Sequence, residues 1–544
     1  MSETPDIRKL AAEEYNTPVH PGFITGGTFW NGANASGKHD GAKSRPFWNA
    51  HATQFMYPPS FEFAAVPACR RFLFTATDCN QQTHTFEADT PMAPLTPIWG
   101  EIPEGDVELT VKALEDDGTP IGLVGARIFY RSAPYAGPDA YPPKAKSYRE
   151  CAIHALRYVY DMPIVRYWHE HGVPHPEYHL NRYPSKMIPA LINAMIAYAS
   201  IAPENAENAI QLAKNAADYL LSITIGGDSP LKGLPPTYHV AFNQGKYDFC
   251  DYGEDHVKNM VMMCYPAQVG SVYLALEKVC GDVKYYEAAR RIADYYRDTV
   301  QENGTWNLMV DIITGEGRSA NDLMPESVIP FMKAMYDRTG EEIWLDLMKN
   351  AHAYRYSCRM DSYEWEGQFE DSPVSSHYTN LSHYPADAML YYIVENQKDD
   401  PAAIAEAEVL ARFIEDQFVI WHKFAPRNRK NLDPWFNQYN NNKAEWHCPA
   451  GMEQYNWYVP IDSSTAHIMI AFLRLYKATG NPVHLAKACT LADSITRIQN
   501  PRTGMIPTQW YRKSAIEDGG DFWMNCCIEV AVLMMEIANE TEKE

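Results

Sequence analysis

Ala478-Thr479-Gly480-Asn481 joins two long apolar segments, and Val279-Cys280-Gly281-Asp282 and Arg338-Thr339-Gly340-Glu341 repeat its pattern. In each case a helical segment runs up to the glycine, and a second one begins after the next polar residue. Gly281 and Gly340 are 59 residues apart, and a further 59 residues reach Asp399, inside the polar break Asn396-Gln397-Lys398-Asp399-Asp400. Such a repeat of helical hairpins predicts an array in which each unit buries its apolar face on the next.

After about residue 140 the periodicity predicts helices and loops only. The segment 462–479 is apolar nearly all round, as a buried helix is, whereas 482–499 is apolar on one side, as an outer helix is. Inner and outer helices joined by tight turns predict a closed (α/α)6 toroid of six hairpins, in which the last helix pairs with the first. The twelve predicted helices are 145–161, 184–202, 204–224, 265–280, 284–301, 324–339, 341–358, 383–396, 401–418, 462–479, 482–499 and 521–538.

In the N-terminal part of the chain, apolar residues recur with a period of two rather than with the helical period. Val107, Leu109 and Val111 alternate with polar residues, and Asp117-Gly118 is typical of a hairpin turn. This pattern predicts a small antiparallel β-sandwich before the helices, followed by a proline-rich linker. The predicted units are an N-terminal arm (1–44), a β-sandwich domain (45–135) and a toroid (140–544).

Composition narrows the classes of partner. The net charge of -22 and the lack of basic runs disfavour nucleic acid and anionic membranes, and no apolar stretch has the length of a membrane span. The eleven cysteines are an odd number and mostly isolated, which favours a reducing compartment. The first residues lack the features of a signal peptide. The sequence thus predicts a cytoplasmic location, or a periplasmic or secreted one if a leader has been removed.

The toroid also predicts where chemistry occurs. If the tight turns share one end of the ring, the long connections share the other, and long loops usually carry function. These connections hold most of the Trp, His and acidic residues of the helical part. They comprise about residues 225–264, 302–323, 359–382, 419–461 and 500–520.

Aromatic rings alternating with carboxylates in these loops are what a carbohydrate site needs, because a sugar stacks on aromatic faces and hydrogen-bonds to carboxylates. Two carboxylates can act as general acid and as base or nucleophile. The candidates are Glu370 or Asp371 with Glu326 or Asp255, while His256 and His383 would orient the substrate. In the alternative interpretation, acidic residues such as Asp462 cap helices and the tryptophans cover the core. The tryptophans expected to stack on sugar rings are Trp306, Trp365, Trp457 and Trp510.

Three motifs accompany this architecture: Trp99-Gly100-Glu101-Ile102-Pro103-Glu104-Gly105, Gly367-Gln368-Phe369-Glu370-Asp371-Ser372-Pro373 and Leu475-Tyr476-Lys477-Ala478-Thr479-Gly480. With them, the chain from residue 45 to 540 resembles the six-hairpin, (α/α)6-toroid carbohydrate-active enzymes, which include glucuronyl hydrolases and polysaccharide lyases. The resemblance implies a carbohydrate substrate. We expect hydrolysis of a glycosidic bond at a chain end, with a uronic acid such as glucuronate as a fitting sugar. No cofactor is expected, and the oligomeric state is not predicted.

A polysaccharide lyase is the alternative. Elimination next to a uronate carboxylate needs a His/Tyr acid–base pair and a cation that neutralises the carboxylate. The candidate acid–base residues are His256, His377, His383, Tyr378 and Tyr455, and the candidate cations are Arg182, Lys186, Lys258 and Arg318. A non-catalytic glycan-binding protein and an epimerase with paired histidines remain further alternatives.

Two adjacent cysteines near the end of the chain raise the possibility of a zinc site. Cys526-Cys527 is similar to the cysteine pair of toroid β-L-arabinofuranosidases, a resemblance that implies zinc bound by these thiolates with Cys448, Glu445 or His447. The chain departs from that family at Asp462-Ser463-Ser464, where the family carries Glu and Cys. We therefore predict no metal and keep Cys448, Cys526 and Cys527 as the candidate ligands.

Overall fold

The computed structural model describes residues 6–20, 22, 24–25, 54–63, 66–176, 183–238, 259–318, 322–358, 368, 383–422, 447–452, 460–510 and 522–542. Helices dominate this part of the chain. They are α1 (Ile7–Glu14), α2 (Thr96–Trp99), α3 (Tyr148–Asp161), α4 (Pro163–His171), α5 (Pro184–Ile201), α6 (Ala206–Ser222), α7 (Cys264–Cys280), α8 (Val283–Thr299), α9 (Val328–Thr339), α10 (Glu342–Ser357), α11 (Tyr384–Asn396), α12 (Pro401–Phe418), α13 (Asp462–Thr479), α14 (Pro482–Ile498) and α15 (Met524–Thr541).

Twelve of these helices pack as six antiparallel pairs: α5 with α6, α7 with α8, α9 with α10, α11 with α12, α13 with α14, and α15 with α3. Inner helices contact one another in the order α9, α7, α5, α15, α13, α11, and α11 closes the ring against α10. The predicted (α/α)6 toroid, including closure by the last helix against the first, is confirmed. The sequence did not predict α4, although Pro163 at its first position and Gly172 after its last are typical signals of helix ends.

The tight turns form as the glycines predicted. Gly281, Gly340 and Gly480 cap α7, α9 and α13 in the left-handed region, with φ of 73°, 70° and 71°. A side chain there would be strained, whereas glycine is not. Asp282 and Asn481 then accept hydrogen bonds from the first backbone amides of α8 and α14. Because every tight turn follows an inner helix, all inner helices begin at the opposite end of the ring.

The strands of the described residues lie mostly in the N-terminal part of the chain. They are β1 (Ile24–Thr25), β2 (Gln54–Phe55), β3 (Ser60–Phe61), β4 (Phe72–Thr77), β5 (Thr83–Ala88), β6 (Gly105–Leu114), β7 (Pro120–Arg131), β8 (Met260–Met262), β9 (Met309–Asp311), β10 (Val419–Ile420) and β11 (Ala450–Gly451). The N-terminal sheet has five strands in the order β2-β7-β6-β4-β5, antiparallel except between β2 and β7. The predicted sandwich is seen only in part, since the described second layer is the two-stranded pair β1–β3. The division into arm, sandwich domain and toroid stays a prediction.

A buried carboxylate attaches the N-terminal part to the ring. Glu415, near the end of α12, accepts hydrogen bonds from Tyr57 Oη and Trp421 Nε1, each at 2.7 Å, and from Tyr15 Oη. Lys487 Nζ of α14 lies 2.7 Å from the same carboxylate. These donors compensate for its burial, so the contact between the two parts is polar and specific. No helix in the described residues is long and apolar enough to span a membrane.

Candidate active site

The first two turns of the inner helices bring polar side chains together at one end of the toroid. They contain Ser185 and Lys186 on α5, His383 and Asp387 at α11, Ser464 and His467 on α13, and Glu529 on α15. The predicted end of the ring is therefore rich in titratable groups.

His383 and Asp387 form an imidazole–carboxylate pair at the start of α11. His383 Nδ1 lies 2.5 Å from Asp387 Oδ2, and both residues are buried. The spacing of four residues places them on one helix face. Because the aspartate accepts the proton of Nδ1, the neutral imidazole has its lone pair on Nε2. Within the described residues, His383 Nε2 has no hydrogen-bond partner.

His467 and Glu529 form a second pair between α13 and α15. His467 Nε2 lies 2.7 Å from Glu529 Oε1. Burial opposes the charge on His467, but the attraction of Glu529 outweighs it and raises the pKa of the imidazole. Burial likewise opposes ionisation of Glu529, yet the positive charges of His467 and Lys186 outweigh this effect and lower the pKa of its carboxyl group. This pair therefore favours a protonated imidazole beside a carboxylate.

The two imidazoles face a common region. The ring centroids of His383 and His467 are 6.3 Å apart, and the ring of Tyr384 lies 4.3 Å from the first and 5.1 Å from the second. Buried polar atoms without a hydrogen-bond partner in the described residues collect at the same helix starts: Ser185 Oγ, Ser464 Oγ, His383 Nε2 and Asp387 Oδ1. Buried polar groups are normally paired, so this concentration makes these helix starts the candidate site.

Glu326 lies at the same end, just before α9. Burial of its carboxyl group raises its pKa to about 7. Arg355, buried at the end of α10, carries a positive charge that opposes this shift, and burial lowers the pKa of its guanidinium to about 10. Arg355 Nη2 donates to Nδ1 of His352 at 3.1 Å, and burial followed by the charge of Arg355 lowers the pKa of that imidazole to about 3. Glu326 is thus a carboxyl group that is partly protonated at neutral pH.

Of the residues predicted from sequence, the structure brings together His383 and Lys186, and places Glu326 at the same end. Arg318 instead pairs with Asp311 at 2.6 Å in the turn after β9, so its charge is already neutralised. Ten predicted residues lie outside the described residues: Arg182, Asp255, His256, Lys258, Trp365, Glu370, Asp371, Tyr378, Tyr455 and Trp457. His377 of the lyase alternative lies outside them as well.

Two predicted stacking residues are part of the core instead. Trp306 is 2% exposed, and its Nε1 donates to Tyr296 O at 2.7 Å. Trp510 is fully buried, with Nε1 donating to Pro507 O at 3.1 Å. Neither ring presents a face to a ligand, because packing and a backbone hydrogen bond occupy each indole. The alternative interpretation, in which loop tryptophans cover the core, holds for both.

The cysteine pair lies in the core of the ring. Cys527 is fully buried, and burial raises the pKa of its thiol. Cys526 is also buried, and Cys448 lies on the connection before β11. Across the described ranges, no group of three or more His, Cys, Asp or Glu residues has the geometry of a metal site.

Sequence reasoning missed His467, Glu529, Asp387 and Arg355. A signal was present for the first two, since each is a titratable residue within a mainly apolar stretch of an inner helix. Asp387 also follows His383 at the spacing of one helical turn. No local pattern distinguished Arg355, because its effect on Glu326 depends on the packing of α10 against α9.

Comparison with known proteins establishes the fold. No protein-family model matches the chain, and no curated protein matches it in sequence. Among solved structures it is similar to D-mannose isomerase, with 12% identity and a TM-score of 0.51 over 73% of this chain and 98% of that one. A family 76 glycoside hydrolase from a bovine Bacteroides thetaiotaomicron strain matches with 11% identity and a TM-score of 0.44, covering 87% of this chain and 93% of that one.

An unsaturated glucuronyl hydrolase from Streptococcus agalactiae matches with 12% identity and a TM-score of 0.45, covering 75% of this chain and 96% of that one. The ring of six helical pairs and the likeness to D-mannose isomerase show the (α/α)6-toroid fold that the resemblance implied, and no individual family is shown. At these identities the likeness shows the fold alone.

Proposed function

We propose that the protein is a carbohydrate-active enzyme in which His383 and His467 transfer protons to and from a sugar. The observation that carries this proposal is the arrangement of the two imidazoles. Each is paired with a carboxylate, at 2.5 Å and 2.7 Å, and their ring centroids are 6.3 Å apart at the end of the toroid where the inner helices begin.

The two histidines have different roles in this proposal. Asp387 holds the proton of His383 on Nδ1, so Nε2 acts as the base. Glu529 favours the protonated form of His467, which then acts as the acid. A base and an acid on opposite sides of a sugar carbon can remove and return a proton next to a carbonyl or carboxylate group. Lys186 adds a positive charge that stabilises the enolate formed in such a step.

This chemistry serves either isomerisation of a sugar or elimination at a uronate. The elimination corresponds to the lyase alternative of the sequence, with Tyr384 as a second acid close to both imidazoles. A uronate carboxylate also suits the charge of Lys186. The D-mannose isomerase whose fold the chain shares is named for a reaction of the first kind.

Hydrolysis of a glycosidic bond is the second candidate, and Glu326 favours it. A carboxyl group with a pKa of about 7 is suited to protonate a leaving sugar oxygen. Its partner would be Asp255, Glu370 or Asp371, the carboxylates predicted for the neighbouring loops. In this reaction His383 and His467 would orient the substrate.

Product analysis in deuterated water tests the proposal. Neutral and uronate oligosaccharides are incubated with the protein, and the products are examined by mass spectrometry and ultraviolet absorbance. Isomerisation places deuterium on carbon without adding water, and elimination produces an absorbing unsaturated uronate. Products that together gain one water establish hydrolysis and overturn proton transfer at carbon.

Matched variants assign the residues. We expect His383→Ala and His467→Ala each to lower turnover at least about 100-fold, the usual contribution of a general acid or base. His169→Ala is the control, because His169 is exposed at the end of α4. Full turnover by both site variants, with Glu326→Gln inactive, would assign the reaction to the carboxylate instead.

A further inference from the structure

The pair formed by His383 and Asp387 continues along α11 as a polar stripe. Tyr391 follows Asp387 at the same interval of four residues that separates Asp387 from His383, so all three lie on one face of the helix. Glu395 extends the stripe by one further turn. Polar groups on an inner helix need partners on the helix packed beside it. For Tyr391 and Glu395 these partners lie on α13.

Tyr391 connects α11 to the main chain of His467. Its Oη donates to the carbonyl oxygen of His467 at 2.7 Å. A helical carbonyl oxygen can accept this additional hydrogen bond because it has two lone pairs. Burial, and next the charge of Asp387, raise the pKa of Tyr391 above its ordinary value, so the hydroxyl keeps its proton and donates at neutral pH. The helix that follows His383 is thus tied to α13 at the residue that carries the second imidazole.

Arg474 supports the ring of Tyr391. Its guanidinium lies over the phenol ring, 4.2 Å from the ring centroid, which is a cation–π contact. Arg474 Nη1 donates to Glu395 of α11 at 2.9 Å, and Arg474 Nε donates to Glu536 of α15 at 3.3 Å. Arg474 also follows His467 by seven residues, on the same face of α13. One guanidinium therefore joins the three helices that carry the two imidazole–carboxylate pairs.

The same three helices thus meet at two levels. At the first level, His467 of α13 lies 2.7 Å from Glu529 of α15. At the second level, Arg474 of α13 contacts Glu536, which follows Glu529 by seven residues on one face of α15. Tyr391 belongs to the second level and reaches the main chain of His467 at the first. The second level therefore acts on the imidazoles through the spacing of the helices.

We infer that Tyr391 is a positioning residue, whose hydrogen bond to the His467 carbonyl fixes the separation of the two imidazoles, and that Arg474 holds Tyr391 in the orientation for this bond. The inference rests on the proposed function, because it assumes that both imidazoles act on one sugar. Each imidazole is oriented by its own carboxylate, whereas the 6.3 Å between the ring centroids of His383 and His467 depends on how α11 packs against α13. Acid–base groups have to be held within about 0.5 Å of the productive geometry, and the Tyr391 bond supplies such a restraint.

Tyr391→Phe tests the bond, because it removes the hydroxyl and keeps the ring. We expect kcat to fall on the order of tenfold, since a displacement of about 1 Å costs roughly 100-fold and the loss of one restraint permits a smaller one. KM should change less than about twofold, because the groups that bind the sugar are untouched. The alkaline limb of the pH profile should stay in place, because the charged groups around His467 remain: Glu529, Asp387 and Arg474.

Tyr285→Phe is the matched control. Tyr285 is fully buried, and its Oη donates to Asp218 at 2.9 Å, but it lies in the first turn of α8, at the tight-turn end of the ring. Its loss of one hydroxyl should leave kcat unchanged. An equal fall of kcat in both variants overturns the positioning role, and so does an unchanged kcat in folded Tyr391→Phe.

Arg474→Gln tests the support of the ring, and it replaces Tyr391→Phe if circular dichroism shows that this variant does not fold. The amide cannot form the cation–π contact, so kcat should fall about threefold. Burial and, to a smaller extent, the positive charge of Arg474 oppose protonation of His467 and lower its pKa. Removing this charge should therefore move the alkaline limb of kcat/KM to higher pH. An unchanged kcat in Arg474→Gln overturns its supporting role.

Crystal structures of the unmodified protein and of Tyr391→Phe, or of Arg474→Gln in its place, separate this inference from the proposed function. If no sugar is turned over, the proposed function fails, but the separation of the two imidazoles can still be compared. We expect the ring centroids of His383 and His467 to shift by about 0.5 Å or more in the variant. An unchanged separation overturns the positioning role, whether or not the protein is an enzyme. Turnover with an unchanged kcat in Tyr391→Phe removes the positioning role and leaves the enzyme.

Discussion

His383 Nδ1 and Asp387 Oδ2 lie 2.5 Å apart within the first turn of α11, and both side chains are buried. The pair leaves Nε2 of the imidazole without a hydrogen-bond partner in the described residues, and the His467 ring lies 6.3 Å from the His383 ring. Because a single helix supplies both partners, the orientation of the imidazole is determined locally. Its distance from His467, in contrast, depends on the packing of α11 against α13.

Asp387→Asn should lower turnover about 100-fold, because an amide can donate to Nδ1 and move the lone pair away from Nε2. The measurement is kcat on the substrate identified by product analysis, with circular dichroism to verify the fold. Asp337→Asn is the control, since Asp337 pairs with Lys333 at the same spacing on α9 but on the exposed surface. Equal loss in both variants would contradict an orienting role for Asp387.

Glu529→Gln should shift the alkaline limb of the pH profile of kcat/KM to lower pH. The attraction of Glu529 raises the pKa of His467, so the imidazole stays protonated to higher pH when the carboxylate is present. Removing that charge lets burial dominate, and the acid form is lost at a lower pH. An unmoved alkaline limb would show that His467 is not the acid. The conservative variant Glu529→Asp keeps the negative charge, so it should move the alkaline limb less than Glu529→Gln does.

Glu326→Gln should stabilise the protein at pH 8 and have little effect at pH 4. Burial raises the folded-state pKa of this carboxyl group to about 7, above the value in the unfolded chain. The folded state therefore binds the extra proton, and stability declines as pH rises from the unfolded pKa to the folded one. The expected gain at pH 8 is about 1–3 kcal/mol in the free energy of unfolding.

Urea unfolding of Glu326→Gln at both pH values measures this effect. Glu316→Gln is the control, since Glu316 is exposed in the turn after β9. A loss of stability at pH 8 would mean that the charged form of Glu326 is favoured in the folded protein, contrary to the effect of its burial.

Glu415→Ala should destabilise the protein by about 3–5 kcal/mol, because it leaves Lys487 as a buried charge without its main partner. The hydroxyl of Tyr57 and the indole of Trp421 would lose their acceptor as well. The free energy of urea unfolding measures the cost. Glu406→Ala, on the same helix but without a described side-chain contact, should change it by less than about 1 kcal/mol.

The helices were predictable from sequence because their determinants are local. Apolar periodicity placed all twelve ring helices within a few residues of their bounds, and glycines such as Gly281 and Gly480 marked turns that need a positive φ. The order of hairpins and the end at which the inner helices begin followed from those turns. His383, Lys186 and Glu326 were also predicted as site candidates, since each stands near the start of an inner helix.

Only the tertiary structure decided which groups meet. His467 and Glu529 are far apart in sequence, so their contact depends on α13 packing beside α15. Packing against Tyr296 of α8 likewise buries Trp306, which was expected to face a sugar. Sequence alone therefore determined the helices, their turns and the end of the ring that carries function, because these depend on interactions within a few residues. The identities of the paired side chains and their protonation depend on closure of the ring, which brings residues from different hairpins into contact.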